Sequence, residues 1–233
     1  MQPNPFLPPI HRRPPLFEVD KYEWPDEWRI LLIGQTGSGK TYLAKRLMDQ
    51  KYGKVPIVVY QSKPRVASLD RLAVKRVATV AALQSELKRR EIEPMIILKP
   101  TPEAAMDRET TEAFSKVVFE AKVPLLIYID EIAAFTRFSP VPAKWFGILI
   151  TQGREMDKGV IMAAQEPAWL PRLVYAECQA VGKLYTSGEA NEKAIVRNLP
   201  TPVALTPVPD YPHGLVWWDS RDRTHAYQFR RCQ

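Results

Sequence analysis

One short run of this chain has residue types and spacing suited to holding a polyphosphate. Gly34, Gln35, Thr36, Gly37, Ser38, Gly39, Lys40 and Thr41 spell G-x-x-x-x-G-K-T, the pattern in which successive backbone N–H groups curl around a phosphate. A side chain at Gly37 or Gly39 would block that approach. Lys40 adds a point charge that can reach β- and γ-phosphates, and the Thr41 hydroxyl is a hard oxygen ligand for Mg²⁺. Glycine is scarce here, 10 in 233 residues, yet three of the ten fall between positions 34 and 39. That clustering argues against a chance Gly/Ser turn.

A second group of residues could act on a phosphate held there. Asp130 and Glu131 follow the apolar run PLLIYI, the arrangement known as Walker B. Asp130 would hold Mg²⁺, directly or through water, and Glu131 would orient and deprotonate an attacking water. Two acids opening a helix are also favoured by its dipole, so this pair gains its catalytic meaning from the loop 90 residues earlier. Gln165 ends the run VIMAA, where a neutral amide could sense a γ-phosphate or simply bond a loop. Arg154 stands between Gly153 and Gly159. It is either plain surface or an arginine finger reaching a neighbouring subunit, a role worth roughly 10³–10⁵ in rate. The chain has neither an N-K-x-D guanine-reading motif nor an L-S-G-G-Q signature.

These residues need a scaffold, and the hydrophobic pattern supplies one. Short apolar runs at 29–34, 56–61, 94–98, 124–129, 160–164 and 180–185 read as strands. Helical patterns lie between them, at about 40–50, 81–90, 102–121, 143–151 and 191–198. The alternation predicts an α/β fold, a mostly parallel sheet flanked by helices. Wholly apolar strands such as 124–129 belong in the middle of such a sheet. Ligands then sit at the carboxyl ends of the strands, where the glycine-rich loop, Asp130 and Gln165 all fall. Leu215–Trp218 and Ala226–Phe229 read as a short C-terminal β-hairpin. The expected organisation is a proline-rich N-terminal arm over 1–23, an ATPase domain over 24–199, and a proline-rich linker and tail over 200–233.

Bulk properties exclude several classes. At 45% hydrophobic and 25% charged residues the composition is that of a globular protein. No apolar run approaches the ~20 residues that span a bilayer. The opening MQPNPFLPPIHRRPP lacks the apolar core of a signal peptide, which predicts a protein that is not secreted. Cys178 and Cys232 are too few for a disulfide framework or a zinc site, and His11, His213 and His225 are scattered. The net charge of +7 suits a polyanionic partner without requiring one.

Taken together, GQTGSGKT, LLIYIDE and TQGREMDKGVIMAAQEP resemble the motifs of the FtsK–HerA superfamily of DNA-pumping ATPases. The spacing of G-R, a strand and Q-x-P is the more specific part. The compact size resembles the genome-packaging ATPases of tailless icosahedral viruses with internal membranes, the tectivirus-like lineage. The resemblance covers about residues 29–170. It implies a P-loop NTPase fold of the RecA/FtsK kind, with ATP and Mg²⁺ held by the loop, Thr41 and Asp130. It also implies Glu131 as base, Gln165 as sensor and Arg154 acting in trans. The implied partners are double-stranded DNA, further copies in a ring (a hexamer in preference to a pentamer) and capsid or portal-vertex proteins. The implied location is a virion packaging vertex or the host cytoplasm. A cellular HerA- or conjugation-type translocase and a nucleotide-dependent virion assembly protein are the alternatives. One departure stands out: many relatives carry a basic residue after the glutamine, where this chain has Glu166.

DNA would be gripped through its backbone, which carries no sequence information. Two stretches offer cations for that purpose. One is Lys63, Arg65, Arg71, Lys75 and Arg76; the other mixes Phe135, Arg137, Phe138, Lys144 and Trp145. Each could equally be a solvated face or a subunit interface.

Overall fold

A computed structural model describes residues 16–136, 143–210 and 213–230. Residues 1–15 of the arm read over 1–23, together with Arg137, Phe138 and Cys232, lie outside them. Among the described residues nine strands form one sheet: β1 (Arg29–Ile33), β2 (Ile57–Tyr60), β3 (Lys75–Val77), β4 (Met95–Leu98), β5 (Leu125–Ile129), β6 (Lys158–Ala164), β7 (Ala180–Lys183), β8 (Leu215–Asp219) and β9 (Tyr227–Phe229). Their order across the sheet is β3-β4-β2-β5-β6-β1-β7-β8-β9. The pairings from β3 to β7 are parallel, and β8 and β9 add to β7 as an antiparallel hairpin.

The central strands are apolar because both faces are covered. Every residue of β1, β2, β4, β5, β6 and β7 is buried. Side chains alternate between the two faces. Ile30 and Leu32 of β1 meet α1 (Lys40–Lys51) through Leu43, Leu47 and Met48. On that face Phe17, Trp24 and Trp28 complete the layer, with Phe17 stacked 4.9 Å from Trp217 of β8. Leu31 and Ile33 face the other layer. That layer is built from α3 (Val80–Leu87), α5 (Arg108–Glu120), α7 (Lys144–Gln152), α9 (Glu189–Asn198) and α10 (Thr201–Leu205), the last two carrying Ile195 and Val203. Each fully buried Val, Leu or Ile contributes about 1.5–3 kcal/mol, so the strand ends that carry the motifs are firmly held.

Several expectations are corrected. The helix read over 102–121 is two, α4 (Pro102–Ala105) and α5, because the Asp107 carboxylate caps the second by accepting from the Thr110 N–H at 2.9 Å. The polar stretch 62–76 holds α2 (Ala67–Asp70) and the edge strand β3. The run after Leu199 is not wholly irregular, since α10 begins there with a proline in its first turn, where the missing N–H costs nothing. Two further short helices went unread: α6 (Ala133–Thr136) and α8 (Arg172–Ala176).

Candidate functional site

The parallel sheet places the predicted residues along one edge. β1 delivers the chain into Gly34–Thr41, with the Gly34 N–H bonded to the Ala164 carbonyl of β6. Gly37 and Gly39 take φ of 80° and 103°, a left-handed conformation that a side chain strains. α1 starts at Lys40, so its positive end opens on the concavity of the loop. The Lys40 ammonium folds into that concavity, donating to the Gly34 carbonyl and, at 2.8 Å, to the Gln35 carbonyl. Burial, reinforced by the nearby Lys63 charge, lowers its pKa to about 8. The buried Ser38 hydroxyl has no partner. A lysine leaning on carbonyls and an unsatisfied hydroxyl are what a phosphate would engage.

Asp130 follows β5, whose neighbours are β2 and β6. β2 sets Asp130 beside Ser62, whose N–H and hydroxyl donate to Oδ1 at 2.8 and 2.6 Å. Asp130 is 2% exposed, and burial pushes its carboxyl above the usual range despite those bonds. The Tyr128 phenol is fully buried without a hydrogen-bond partner and is raised far above its ordinary value, mainly by burial and then by the Asp130 charge. Thr41 stands in the first turn of α1, which packs against β5, the strand that Asp130 follows. Among the described residues no group of three or more His, Cys, Asp or Glu could hold a metal. One carboxylate and one hydroxyl, completed by phosphate oxygens and water, are the donor set that Mg²⁺ uses.

Glu131 and Gln165 also meet here. The Gln165 N–H donates to Glu131 Oε1 at 3.4 Å, and the Thr36 hydroxyl donates to Gln165 Oε1 at 3.0 Å. Lys63 Nζ lies 3.3 Å from Glu131 Oε2. Lys63 thus lies in the site. In the same basic stretch Arg65, Arg71, Lys75 and Arg76 are all exposed, with Lys75 paired to Glu86 at 3.1 Å and Arg76 donating to the Leu69 carbonyl at 2.6 Å. In the second stretch Phe135 is core, packed on Tyr60, Phe114 and Phe146. Trp145 is half-buried against Phe119, and Lys144 is exposed.

Sequence reading missed a polar belt around the loop. The Ser187 hydroxyl donates to Gln35 Oε1 at 3.0 Å. Asn191 Nδ2 donates to the Ser187 carbonyl at 3.0 Å and to Glu166 Oε2 at 3.1 Å. Glu166, the departure after the glutamine, is therefore a tie between the loop after β6 and the start of α9. His213 was passed over as scattered, but a Cβ at Gly39 would come 3.2 Å from its Nδ1.

Arg154 is elsewhere. It sits exposed in a 3₁₀ turn, Gly153–Met156, before β6, while Gln165 lies just after that strand. Beneath the turn the buried Arg29 guanidinium donates to the Leu149 carbonyl at 3.3 Å. Its pKa is lowered to about 10 by burial and then by the Arg154 charge.

A parallel sheet with a glycine-rich loop, a buried aspartate and an adjoining glutamate at one edge defines a P-loop ATPase. No family model matches the chain. The chain is 26% identical over 192 residues to the DNA packaging ATPase P9 of Enterobacteria phage PRD1, covering 82% of this chain and 78% of that one. Its fold matches the genome packaging NTPase B204 of Sulfolobus turreted icosahedral virus 2, solved with ATPγS, at a TM-score of 0.69 and 13% identity, over 90% of this chain and 100% of B204. It also matches VirB4 of Thermoanaerobacter pseudethanolicus at a TM-score of 0.63 and 10% identity, over 94% and 93% of the two chains. These relatives bear out the resemblance to packaging ATPases of the FtsK–HerA kind.

Proposed function

We propose that this protein is an ATP-driven motor that moves double-stranded DNA, packaging a viral genome into a preformed capsid. The observation that carries the reading is the convergence of Lys40, Thr41, Asp130, Glu131 and Gln165 at one sheet edge, in a chain similar to P9. The loop N–H groups and Lys40 hold the triphosphate. Thr41 and Asp130 would hold Mg²⁺, which would neutralise phosphate charge. Glu131 takes a proton from water as its oxygen bonds the γ-phosphorus; the bond to the bridging oxygen breaks and ADP leaves. Gln165, tethered by Thr36, orients that water. Lys40 and a neighbour's Arg154 stabilise the charge that develops.

The working form is a ring of copies, a hexamer in this reading, at the packaging vertex, where capsid or portal proteins receive it. None of the described helices is long and apolar enough to cross a membrane. The test is steady-state ATP hydrolysis with and without long double-stranded DNA, alongside Glu131→Gln. Stimulation that vanishes in the variant is the expected result. A rate indifferent to both DNA and Glu131 would leave a nucleotide-binding assembly protein and remove the motor reading.

A further inference from the structure

The turn that carries Arg154 is held from several sides. Residues 154–157 are consecutively exposed between α7 and β6, a setting in which backbone is ordinarily loose. Three features fix it. The Lys158 ammonium, buried at the start of β6, donates to the Met156 carbonyl at 2.7 Å and to the Ala121 and Val123 carbonyls at 3.0 and 2.6 Å. The end of the turn is thereby tied to the segment between α5 and β5. Gly153 packs so closely that a Cβ there would come 3.3 Å from the Lys158 Cβ and 3.4 Å from Arg29 Nη2. Asp157 takes φ of 54°, with its N–H on the Arg154 carbonyl at 3.1 Å and its carbonyl accepting from the Leu125 N–H at 3.0 Å. A non-glycine residue persists in that left-handed region where its surroundings over-determine it.

A lysine is an unexpected way to begin β6. The six residues that follow it, GVIMAA, are apolar or glycine. An ammonium taken out of water is costly unless its donors are satisfied, and here three carbonyls satisfy all three. The ladder bonds of the strand run to β1 and β5 and do not need the side chain. What the ammonium adds is a fixed relation between the turn and the body of the sheet.

We propose that Lys158 is a positioning residue for Arg154, seating the Gly153–Met156 turn where the guanidinium reaches the phosphate site of an adjoining copy. The proposal rests on the reading of Arg154 as an arginine that acts on a neighbour. The side chain of Arg154 is long and exposed, so its reach is set by the backbone beneath it. Lys158 fixes one end of that backbone through the Met156 carbonyl. The missing side chain of Gly153 lets the other end settle onto Lys158 and Arg29.

The test measures turnover at saturating ATP, together with ATP affinity, in the assembled full chain and in Lys158→Met, Gly153→Ala and Arg154→Ala. Lys158→Met is also mixed in turn with Lys40→Ala and with Arg154→Ala. Lys158→Met is expected to lower turnover about 10²-fold, as a misplacement of about 1 Å does, with ATP affinity unchanged. Lys40→Ala, which keeps a seated Arg154, should restore part of that rate. Arg154→Ala should restore none, because neither partner then brings a seated guanidinium. Should Lys158→Met fail to fold, Gly153→Ala decides, with an expected loss of about tenfold in turnover at unchanged ATP affinity. Restoration by Arg154→Ala overturns the proposal, and so does a folded Lys158→Met that neither partner restores. Wild-type turnover in both Lys158→Met and Gly153→Ala, with Arg154→Ala slow, overturns it and leaves Arg154 its role. Wild-type turnover in Arg154→Ala removes that role, and the positioning with it.

Discussion

The two ends of β6 carry residues of opposite character. At the carboxyl end Gln165 is bonded to Glu131 and Thr36, inside a hydrogen-bonded site around the buried Lys40 and Asp130. At the amino end Arg154 stands exposed on a short turn, near the buried Arg29. The strand between them is seven residues long, about 20 Å at the usual rise. Arg154 therefore stands at the end of β6 away from the phosphate loop. On the proposed reading, one end of the subunit supplies the groups around the phosphate and the other offers Arg154 to a neighbour. On that reading such subunits would work arranged head to tail.

The sharpest way to break that comparison is to remove the cation. Arg154→Ala is expected to retain ATP binding and lose about 10³-fold or more of turnover in the assembled state. Mixing it with Lys40→Ala, which spoils the loop but keeps Arg154, should restore part of the rate, because mixed neighbours then form some intact sites. Mixtures that stay inactive would show that Arg154 does not act across an interface. Next in size is the base. Glu131→Gln is expected to cost about 10²–10⁴-fold in turnover with ATP affinity retained, read by single-turnover hydrolysis. A rate within threefold of wild type would transfer the role of base to another group.

The two ends were not equally legible in the sequence. The glycine-rich loop and Walker B could be read because each is local: a few consecutive residues determine the geometry, and an apolar strand precedes each. Ser62 and Lys63 could not, because their roles arise from the pairing of β2 with β5. Asp130 lies 68 residues from Ser62, and no periodicity announces such a contact. The same holds for Ser187 and Asn191, which reach the loop only because β7 pairs with β1. Phe135 misled for the opposite reason. Neighbouring cations made it look like part of a DNA-binding surface, whereas packing draws it into the core. β3 was invisible because it is a three-residue edge strand with two exposed cations, too short and polar to show a strand pattern. Residues 201–205 were hidden by prolines that read as a loop although the first turn of a helix accepts them.

Smaller effects test how tightly the occupied end is built. Ser62 holds Asp130 from β2, and losing its hydroxyl removes the 2.6 Å bond while the backbone bond remains. Residues that orient a metal ligand typically change metal affinity 10–100-fold. Ser62→Ala is expected at the low end, raising the Mg²⁺ concentration for half-maximal hydrolysis about tenfold while maximal turnover at saturating Mg²⁺ changes little. A drop in that maximum with no shift in Mg²⁺ dependence would assign Ser62 to the reaction itself.

The smallest expected effect comes from protonation of Lys40, and its sign follows from the fold. Its pKa is lowered from 10.5 to about 8, first by burial and then by Lys63. Below pH 8 the folded protein bears the full cost of keeping that ammonium out of water. Between pH 8 and 10.5 the unfolded chain binds the proton more strongly, so the Lys40 contribution to stability rises with pH across this window. Nucleotide binding moves the other way. Phosphate favours the charged lysine, so ATP affinity is expected to fall as pH rises through 8, with proton uptake on binding. Calorimetry at pH 8.5 in two buffers of different ionisation enthalpy reads that uptake directly, and Lys40→Met should abolish it. Equal heats in the two buffers for the wild-type chain would mean that Lys40 is already fully charged at that pH, and that the carbonyls of Gly34 and Gln35 offset its burial before any phosphate arrives.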